Sequence, residues 1–454
     1  MTAPTIICAH TKHTIMNAQG AADNEGPSSQ SPAKDDPRWK KTFFTVWTGQ
    51  SASLFGSALV QFALVWWITL ETGSATVLAV AFMAALVPQI AVGPFAGAVV
   101  DRSNRKFVMV TADGCIALAT AVLAVLFWFE VIEVWHILAL LLVRSLGGAF
   151  HWPAFMASTS LMVPKEQLAR INGLNQAVFG MANIGGPAVG AVLLVMLPMQ
   201  GILAVDIMTA LLAILTLLVV AIPNPARDEG ASKRSIMREV RDGFRFVRGW
   251  PGAMALIAVA AVLNFLFTPT DALLPILTLD HFGGGAEEFA ALQVSIGVGM
   301  IVGGIALGAW GGFKRRMSTI CFGLTATGLA TLAIGLAPSG WYLVALAAIF
   351  ATGVFVSMVN GALAAVMQAV IPANMQGRVF SLISSSVLAM TPLGLAIGGP
   401  TADWLGPQTW YVVAGVVSAA LGIAVVFVPT VMNLENGAPA KTPASEEHAP
   451  EDKG

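Results

Sequence analysis

Four ionisable side chains lie within long apolar stretches of the chain, where a charge is costly unless it is paired. They are Arg144, Asp113, Asp206 and Asp271. A carboxylate in such surroundings can bind and release a proton, and a nearby guanidinium can hold it in its charged form. The four residues therefore predict proton coupling inside an apolar environment. The alternative for each acid is a purely structural role. The alternative for Arg144 is a structural arginine whose guanidinium donates to backbone carbonyls.

Asp271 differs from the other acids in its local sequence. It lies between Pro269 and Pro275, in the segment Phe267-Thr-Pro-Thr-Asp271 of a predicted span. Proline breaks the backbone hydrogen bonding of a helix, and broken membrane helices line the binding sites of transporters. Asp271 is therefore a candidate for a functional acid by position as well as by type.

The elements that must position these residues are membrane-spanning helices. Of the 454 residues, 56% are hydrophobic and 11% are charged, with a mean hydropathy of +0.76. A soluble domain carries about 25% charged residues, so this composition excludes a soluble protein. A membrane span needs about 20 apolar residues. Twelve such stretches are present, near 43–70, 75–100, 107–129, 135–162, 169–196, 200–222, 253–279, 289–311, 317–337, 340–370, 378–402 and 408–430.

These stretches fall into two nearly equal groups of six, which predicts an all-α membrane protein of two pseudo-symmetric six-helix halves. A proline and a following arginine are six residues apart in both halves: Pro164 and Arg170 in the first, Pro372 and Arg378 in the second. An apolar residue, Val163 or Ile371, precedes each proline. This echo supports a duplication, with chance similarity as the alternative. The predicted organisation begins with a disordered tail at residues 1–42 and an N-terminal six-helix bundle at 43–222. A linker with a basic amphipathic helix follows at 223–252. A C-terminal six-helix bundle at 253–430 and a second disordered tail at 431–454 complete it.

The basic residues are distributed unevenly along the chain. All of the 24 Lys and Arg residues except Arg144 fall in the tails, the linker or the loops on one side of the predicted spans. The loops on the other side carry acids such as Glu130, Glu133 and Glu287. The positive-inside rule therefore predicts a multi-pass protein of the inner (plasma) membrane with both termini cytoplasmic. The polar start contains no signal peptide pattern, and both Met1 and Met16 are candidate translation starts.

One loop on the basic side has an unusual concentration of charge. Gly97 is followed by Asp101, Arg102, Arg105 and Lys106 in a short connection between two apolar runs. We expect the glycine to let two helices approach closely and the acid to cap a neighbouring helix. The basic residues would pair with acids, so that the loop latches the two halves in one state. A simple positive-inside anchor is the alternative. In the second half, Gly312 stands where the acid would be.

This loop resembles the signature loop between the second and third helices of major facilitator transporters. The stretch from Arg144 to Ala149 is similar to the fourth-helix motif of proton-coupled members, in which the arginine is linked to proton transfer. Asp113 and Asp206 lie in contexts that resemble positions typical of the family. The fifth span, with Gly173, Gly186, Pro187 and Gly190, resembles in part the motif of drug/proton antiporters, and Ala182 and Ala191 replace two of its glycines. A simple packing kink is the alternative.

The beginning of the body, Trp39-Lys-Lys-Thr-Phe-Phe and Thr72-Gly-Ser-Ala-Thr76, resembles the macrolide-efflux branch of that superfamily. The resemblance covers about residues 40–430. It implies export of a hydrophobic or amphipathic, macrolide-like or drug-like compound in exchange for protons, by alternating access. A siderophore or other metabolite exporter, a proton-coupled nutrient importer and a lipid flippase of the same fold are the alternatives.

Polar and soft side chains within the spans are candidates for a substrate cavity. They are Gln61, Gln176, Asn183, Asn264, Asn360 and Met358. His151 is expected to be a hydrogen-bonded packing residue. The sequence contains no phosphate-binding loop, metal-ligand spacing or catalytic triad, so we expect a transporter without cofactor or metal and not an enzyme. The expected partners are a small-molecule substrate, protons and the lipid bilayer, with no nucleic acid, and the expected state is a monomer.

Overall fold

The computed structural model describes residues 39–222, 250–371 and 373–436. These ranges form helices α1 Trp39–Thr72, α2 Ala75–Arg102, α3 Arg105–Trp128, α4 Val134–Met162, α5 Leu168–Met196, α6 Met199–Val219, α7 Pro251–Ile276, α8 Ala286–Trp310, α9 Arg316–Leu336, α10 Tyr342–Val370, α11 Ala373–Leu388, α12 Met390–Leu405, α13 Gln408–Val426 and α14 Pro429–Met432. Most of the predicted tails and of the basic linker helix lies outside the described residues.

Twelve spans in the described part of the chain are long and apolar enough to cross a membrane. Each of α1 to α10 and α13 supplies one, and residues Leu382–Leu405 form the eleventh from the end of α11 and from α12. The break at Ala389 follows from Pro392, which has no N–H to donate to the carbonyl of Leu388, four residues earlier. The predicted all-α fold with twelve spans is confirmed.

Polar residues end several of these helices. The side chain of Ser74 accepts a hydrogen bond from the backbone N–H of Val77 at the start of α2, and Asn104 accepts one from Phe107 at the start of α3. Such caps satisfy backbone donors that a helix start leaves free. Helix α8 ends at Gly311, whose positive φ of 78° favours glycine. Several consecutive helices are joined by short connections, such as the two residues between α1 and α2.

The bundle has two chemically different ends. We call the end that bears Glu71, Glu130, Glu133, Glu287 and Glu288 the acidic end. The opposite end bears Arg102, Arg105, Lys106, Lys314, Arg315 and Arg316, and we call it the basic end. The acidic end contains the connections α1–α2, α3–α4, α5–α6, α7–α8, α9–α10 and α12–α13. The basic end contains the connections α2–α3, α4–α5, α8–α9, α10–α11 and α13–α14, and the α11–α12 break lies within the eleventh span.

The two halves share a buried core at the acidic end. One apolar cluster there includes Phe62 and Trp66 of α1 together with Phe289 of α8 and Trp410 of α13. The Phe289 ring stacks on the Phe62 ring with centroids 5.1 Å apart and on the Trp66 ring at 5.7 Å. Gly399 of α12 packs directly against α2, since a Cβ at this position would lie 2.9 Å from the Cα of Thr76.

At the basic end the described residues form two separate apolar clusters. Phe43, Met109, Phe155 and Leu217 belong to the cluster of the N-terminal half. Met317, Val366, Val431 and their neighbours form the cluster of the C-terminal half. The bundle is therefore closed between its halves at the acidic end, and its halves have separate cores at the basic end.

Candidate functional site

Arg144 and Asp206 form a buried ion pair within the N-terminal half. The Arg144 Nη1 donates to the Asp206 Oδ2 at 2.7 Å, and the Asp206 side chain is 2% exposed. Thr120 donates to the same carboxylate oxygen at 3.0 Å, and Arg144 also donates to Thr120. Ser57 donates to the other oxygen at 3.2 Å. Helices α1, α3, α4 and α6 therefore meet at one fully engaged carboxylate.

Asp113 lies in a second polar cluster of the same half. Its Oδ2 accepts a hydrogen bond from the Gln50 side-chain amide at 3.0 Å. Its Oδ1 lies 3.2 Å from the His151 Nε2. That ring nitrogen is buried but is not aligned for a hydrogen bond with any described residue. The expectation that His151 is a hydrogen-bonded packing residue is therefore wrong for Nε2, which faces a carboxylate without a regular hydrogen bond.

This second cluster forms part of the wall of a cavity of about 140 Å³. The polar lining includes Gln50, Asp113, His151 and Asn175, and the aromatic lining comprises Trp47, Trp152, Phe155 and Phe179. The Asn175 Oδ1 accepts a hydrogen bond from the Trp47 Nε1 at 2.9 Å, while its buried Nδ2 has no partner among the described residues. Apolar rings and a few unengaged polar groups are the typical lining of a small-molecule site.

The structure places most of the other predicted cavity residues elsewhere. Gln176 and Asn183 are exposed on α5, Gln61 is half-buried, and Met358 is buried in α10. Asn264 accepts a hydrogen bond from Thr391 at 2.9 Å, and Asn360 lines a separate cavity in the C-terminal half. The sequence did not reveal Asn175. Adjacent positions such as 175 and 176 lie on different faces of a helix, and the sequence does not show which face of α5 is turned toward the cavity.

Asp271 lies apart from the other three ionisable residues, on α7 of the C-terminal half. It is exposed, and no described side chain donates a hydrogen bond to it. The Tyr411 hydroxyl donates to the carbonyl of its neighbour Thr270 at 2.6 Å. The structure thus brings Arg144 to Asp206 and separates both from Asp271.

The predicted latch loop contacts helix ends rather than acids among the residues that the structure describes. The Arg105 Nη1 donates to the Ala157 carbonyl at 2.8 Å, and the Lys106 Nζ donates to the carbonyls of Leu218 and Val220 at 3.0 and 2.9 Å. Cations near a helix C-terminus stabilise its free carbonyls. Among the described residues these two side chains bind backbone carbonyls, and their pairing with Asp101, whose side chain lies outside the described residues, stays a prediction.

Other parts of the predicted latch have no described contact. Arg102 is exposed, and the side chain of Asp101 lies outside the described residues. No atom lies within 4 Å of the position that a Cβ on Gly97 would take, so this glycine is not at a close helix contact, contrary to our expectation. A role for this loop in gating stays a prediction.

The second half repeats part of this arrangement. The Arg316 Nη1 donates to the Ala365 carbonyl at 3.1 Å, as Arg105 does to Ala157 in the first half. The backbone N–H of Met317, at the start of α9, donates to the Glu435 carboxylate. A carboxylate at a helix N-terminus is favourable. The C-terminal segment thus supplies an acid to the half that has Gly312 in the loop.

The glycines of α5 make a close contact with α1. A Cβ on Gly186 would lie 2.7 Å from the Ala58 Cβ, and a Cβ on Gly190 would lie 2.8 Å from a ring atom of Phe62. Pro187 lies within the helix between them. Gly173, in contrast, has no neighbouring atom within 4 Å of such a position. The partial motif is therefore a packing surface at Gly186 and Gly190 but not at Gly173.

We predict different effects of the same substitution at two of these glycines. Gly186→Ala should destabilise the fold by about 1–3 kcal/mol, because the new methyl overlaps α1. Gly173→Ala should be neutral or stabilising by up to about 1 kcal/mol, because alanine favours the helix. Thermal unfolding of the two purified variants measures the difference, and equal melting temperatures would contradict the packing role.

The structure adds a functional candidate that the sequence did not reveal. Asp403, near the end of α12, lies against the start of α2 in the other half. Its Oδ2 accepts hydrogen bonds from Ser74 Oγ at 3.0 Å, Thr76 N–H at 3.0 Å and Thr76 Oγ1 at 2.5 Å, and its Oδ1 accepts one from Ala75 N–H at 2.6 Å. These partners lie 327 to 329 residues from Asp403 in the chain, and a lone acid at a helix end gives no sequence signal for such pairing.

Comparison with known proteins agrees with this architecture. The family model of the Major Facilitator Superfamily matches residues 46–385 and 270–452. A solved structure of a peptide transporter, POT, is similar with a TM-score of 0.66 and 13% identity, over 87% of this chain and 95% of that one. This likeness is one of fold.

Two relatives that are similar in sequence carry the names of efflux proteins. Macrolide efflux protein A of Streptococcus pyogenes is 32% identical over 397 residues, which are 87% of this chain and 98% of the relative. Multidrug efflux pump Tap of Mycolicibacterium fortuitum is 27% identical over 84% of this chain and 94% of its own length. From the family match, the close relatives and the twelve-span fold together, the chain belongs to the major facilitator superfamily.

Proposed function

We propose that this chain is a secondary active transporter that exports a hydrophobic or amphipathic compound of the macrolide class in exchange for protons, by alternating access. The observation that carries this proposal is the asymmetry of the bundle. The two halves share one core at the acidic end and have separate cores at the basic end. A transporter that rocks two halves about a central site must pass through such a one-sided state.

The distribution of basic residues gives this state a direction. If the basic end is cytoplasmic, as the positive-inside rule favours, the bundle is closed to the outside and open to the cytoplasm. An exporter loads its substrate from that state. Both halves belong to a single chain, so a monomer contains all the parts of the proposed mechanism.

The ionisable residues within the spans then take separate parts. The Arg144–Asp206 pair connects four helices of the N-terminal half and holds them in register. Asp113 and Asp271 are the acids that remain available for proton exchange. The cavity beside Asp113 has an aromatic lining and the unengaged Asn175 amide, a combination that suits one part of an amphipathic substrate.

The charged loop at 97–106 is the proposed gate at the basic end. Replacing Asp101 by Asn should lower the transport rate about tenfold while membrane insertion stays intact, because a charge near a helix end contributes about 1 kcal/mol or more to the state that it stabilises. Export by cells and the amount of protein in the membrane measure the two effects. Normal export by Asp101→Asn would show that Asp101 has no role in gating.

The experiment that tests the proposed function uses inverted membrane vesicles from a host without its own drug pumps. The vesicles are energised, and a pH-sensitive dye reports the proton gradient. Adding erythromycin as the macrolide probe should partly collapse the gradient in vesicles that contain this protein and not in vesicles from the empty host. If macrolides, dyes and siderophores all leave the gradient unchanged, export by proton exchange is wrong.

A further inference from the structure

Helix α5 carries a row of amide side chains within its membrane span. Asn172, Gln176 and Asn183 follow one another at spacings of four and seven residues, which places them on one face of the helix. All three are exposed, and the exposed ring of Phe179 lies among them on the same face. We call these four residues the amide face of α5. It extends over about 16 Å from Asn172 to Asn183, at 1.5 Å per residue.

The hydrogen-bonding groups of the amide face are largely free. Asn183 donates one hydrogen bond to the carbonyl of Phe179, in the same helix, at 2.9 Å. The side chains of Asn172 and Gln176 make no hydrogen bond to any residue that the structure describes. An amide without a partner is costly in hydrocarbon. This face of the span therefore requires water or a polar ligand beside it.

The opposite side of α5 has the composition of a lipid contact. Met181 and Val192 are exposed there, and both are apolar. At 3.6 residues per turn, these two side chains point roughly opposite to the amide face. Helix α5 thus has two exposed sides of different chemistry. The apolar side suits the bilayer, so the amide side faces the interior of the transporter.

The amide face points to the interface between the two halves. Gly190 follows Asn183 by seven residues and lies on the same face, and a Cβ there would lie 2.8 Å from the Phe62 ring. That ring stacks on the Phe289 ring of the C-terminal half. At the level of Gly190, this face of α5 is therefore covered by the core that the two halves share at the acidic end.

A second contact between the halves lies beside the last amide of this face. A Cβ on Gly297 of α8 would overlap the side chain of Ile184, the residue that follows Asn183. The halves are thus in contact from this level toward the acidic end. From Asn183 toward the basic end, where α5 begins, the amides are exposed. The amide face therefore borders a cleft between the halves that is open toward the basic end.

This face also adjoins the small cavity of the N-terminal half. The cavity has a volume of about 140 Å³, whereas sites for drug-sized ligands have volumes of about 300–1,000 Å³. The cavity alone therefore accommodates one group of such a ligand. Phe179 belongs to both surfaces, because it lines the cavity and lies between Gln176 and Asn183 on the amide face. A ligand with one group in the cavity would have the rest of its surface beside these amides.

We propose that the amide face of α5 recognises the hydroxyl and carbonyl oxygens of an uncharged, oxygen-rich part of the substrate, while a smaller group of the same ligand enters the cavity. The inference rests on the proposed function and names the chemistry that its substrate must present. An amide both donates and accepts hydrogen bonds and carries no charge. The face therefore selects ligands by their pattern of oxygen atoms, and a macrolide lactone with several hydroxyls fits it.

Two nearly isosteric substitutions test this recognition. Gln176→Met and Asn183→Leu keep the approximate shape of the side chain and remove its hydrogen bonds to a ligand. Equilibrium binding of radiolabelled erythromycin to purified full-length protein gives the dissociation constant. Each substitution should raise this constant about three- to tenfold, the effect of one lost hydrogen bond. Met181→Leu, on the lipid side of the same helix, is the matched control and should bind as the wild type does.

Cysteine labelling tests the position of the amide face independently. The native Cys8, Cys115 and Cys321 are first replaced. In membranes open to the reagent from both sides, Gln176→Cys should react with a charged, water-soluble maleimide, and erythromycin should slow this reaction. Met181→Cys should react slowly and should not respond to erythromycin. Equal labelling of the two variants would show that the amide face does not line an aqueous cleft, and the inference would be wrong.

The results separate this inference from the proposed function. If the wild type neither binds nor transports erythromycin, the proposed function fails and the inference falls with it. If the wild type binds erythromycin and both folded variants bind it equally well, the inference alone is wrong. Labelling of Gln176→Cys that saturating erythromycin does not slow would also overturn the inference alone. Thermal unfolding shows which variants are folded, and Asn172→Leu replaces any variant that is not.

Discussion

Arg144→Ala should abolish measurable transport and lower the stability of the protein. The substitution leaves the Asp206 carboxylate, which is 2% exposed, without its cation. Breaking a buried ion pair from one side costs about 3–5 kcal/mol. Helices α1, α3, α4 and α6 meet at this carboxylate, so we expect these helices to lose their relative positions in the N-terminal half. Erythromycin transport in vesicles and thermal unfolding of the purified variant measure the two effects.

A double variant separates stability from function. Arg144→Ala with Asp206→Ala removes both charges, so it should recover part of the stability that the single variant loses. Transport should stay low, because the contacts that join the four helices are absent. If Arg144→Ala transports erythromycin and couples protons as the wild type does, the role that we assign to this pair is wrong.

Asp403→Asn should weaken closure at the acidic end. The Asp403 carboxylate accepts hydrogen bonds from the backbone N–H groups of Ala75 and Thr76 and from two hydroxyls, at the N-terminus of α2. Hydrogen bonds to a charged group are about twice as strong as neutral ones, and the helix dipole adds to them. Asparagine keeps the shape but loses the charge. We expect a loss of about 1–2 kcal/mol for the closed state, which corresponds to a shift of about 5- to 30-fold in the ratio of closed to open molecules.

Spin labels at the acidic end measure this shift. Glu71→Cys and Leu405→Cys, in a background without the native cysteines, place labels on exposed residues of the two halves. Pulsed electron resonance should show a larger population of long distances in Asp403→Asn. Glu133→Gln is the control, because among the described residues the Glu133 side chain accepts its hydrogen bond from Trp135 of the same half. An unchanged distance distribution in Asp403→Asn would show that the carboxylate does not hold this end closed.

The sequence predicted the fold well because the membrane imposes a simple rule. Each span must be apolar over about 20 residues, and basic residues collect on one side. The twelve spans follow from hydropathy alone. The cost of an unpaired charge in a span predicted that Arg144 faces a cavity or an acid, with backbone carbonyls as the alternative, and in the structure it pairs with Asp206.

The geometry of the site depended on information that a single sequence does not carry. Asp206 was one of three candidate acids within the spans, and helix rotation and packing decide which of them meets Arg144. The same rotation decides that Asn175 faces the cavity while Gln176 is exposed. Asp403 meets Ser74 because the two halves pack together at the acidic end. Glu435 meets the start of α9 through packing within the C-terminal half, 118 residues apart in the chain.

The glycines show a third limit of sequence patterns. Gly97, Gly173 and Gly186 all belong to motifs in which close packing is expected, but a Cβ would meet another helix only at Gly186. A small residue permits close approach and does not produce it. The contact also needs a partner helix at that depth, and Ala58 of α1 supplies it for Gly186.

The central claim, export by exchange for protons, is tested most directly in proteoliposomes with an imposed pH gradient. Radiolabelled erythromycin is added outside vesicles that contain the purified protein. We predict accumulation inside when the lumen is acidic, and none when the gradient is absent or when Arg144→Ala replaces the wild type. Accumulation that is independent of the pH gradient would contradict the mechanism. Accumulation that requires an alkaline lumen would also contradict it, because that is the behaviour of a proton symporter.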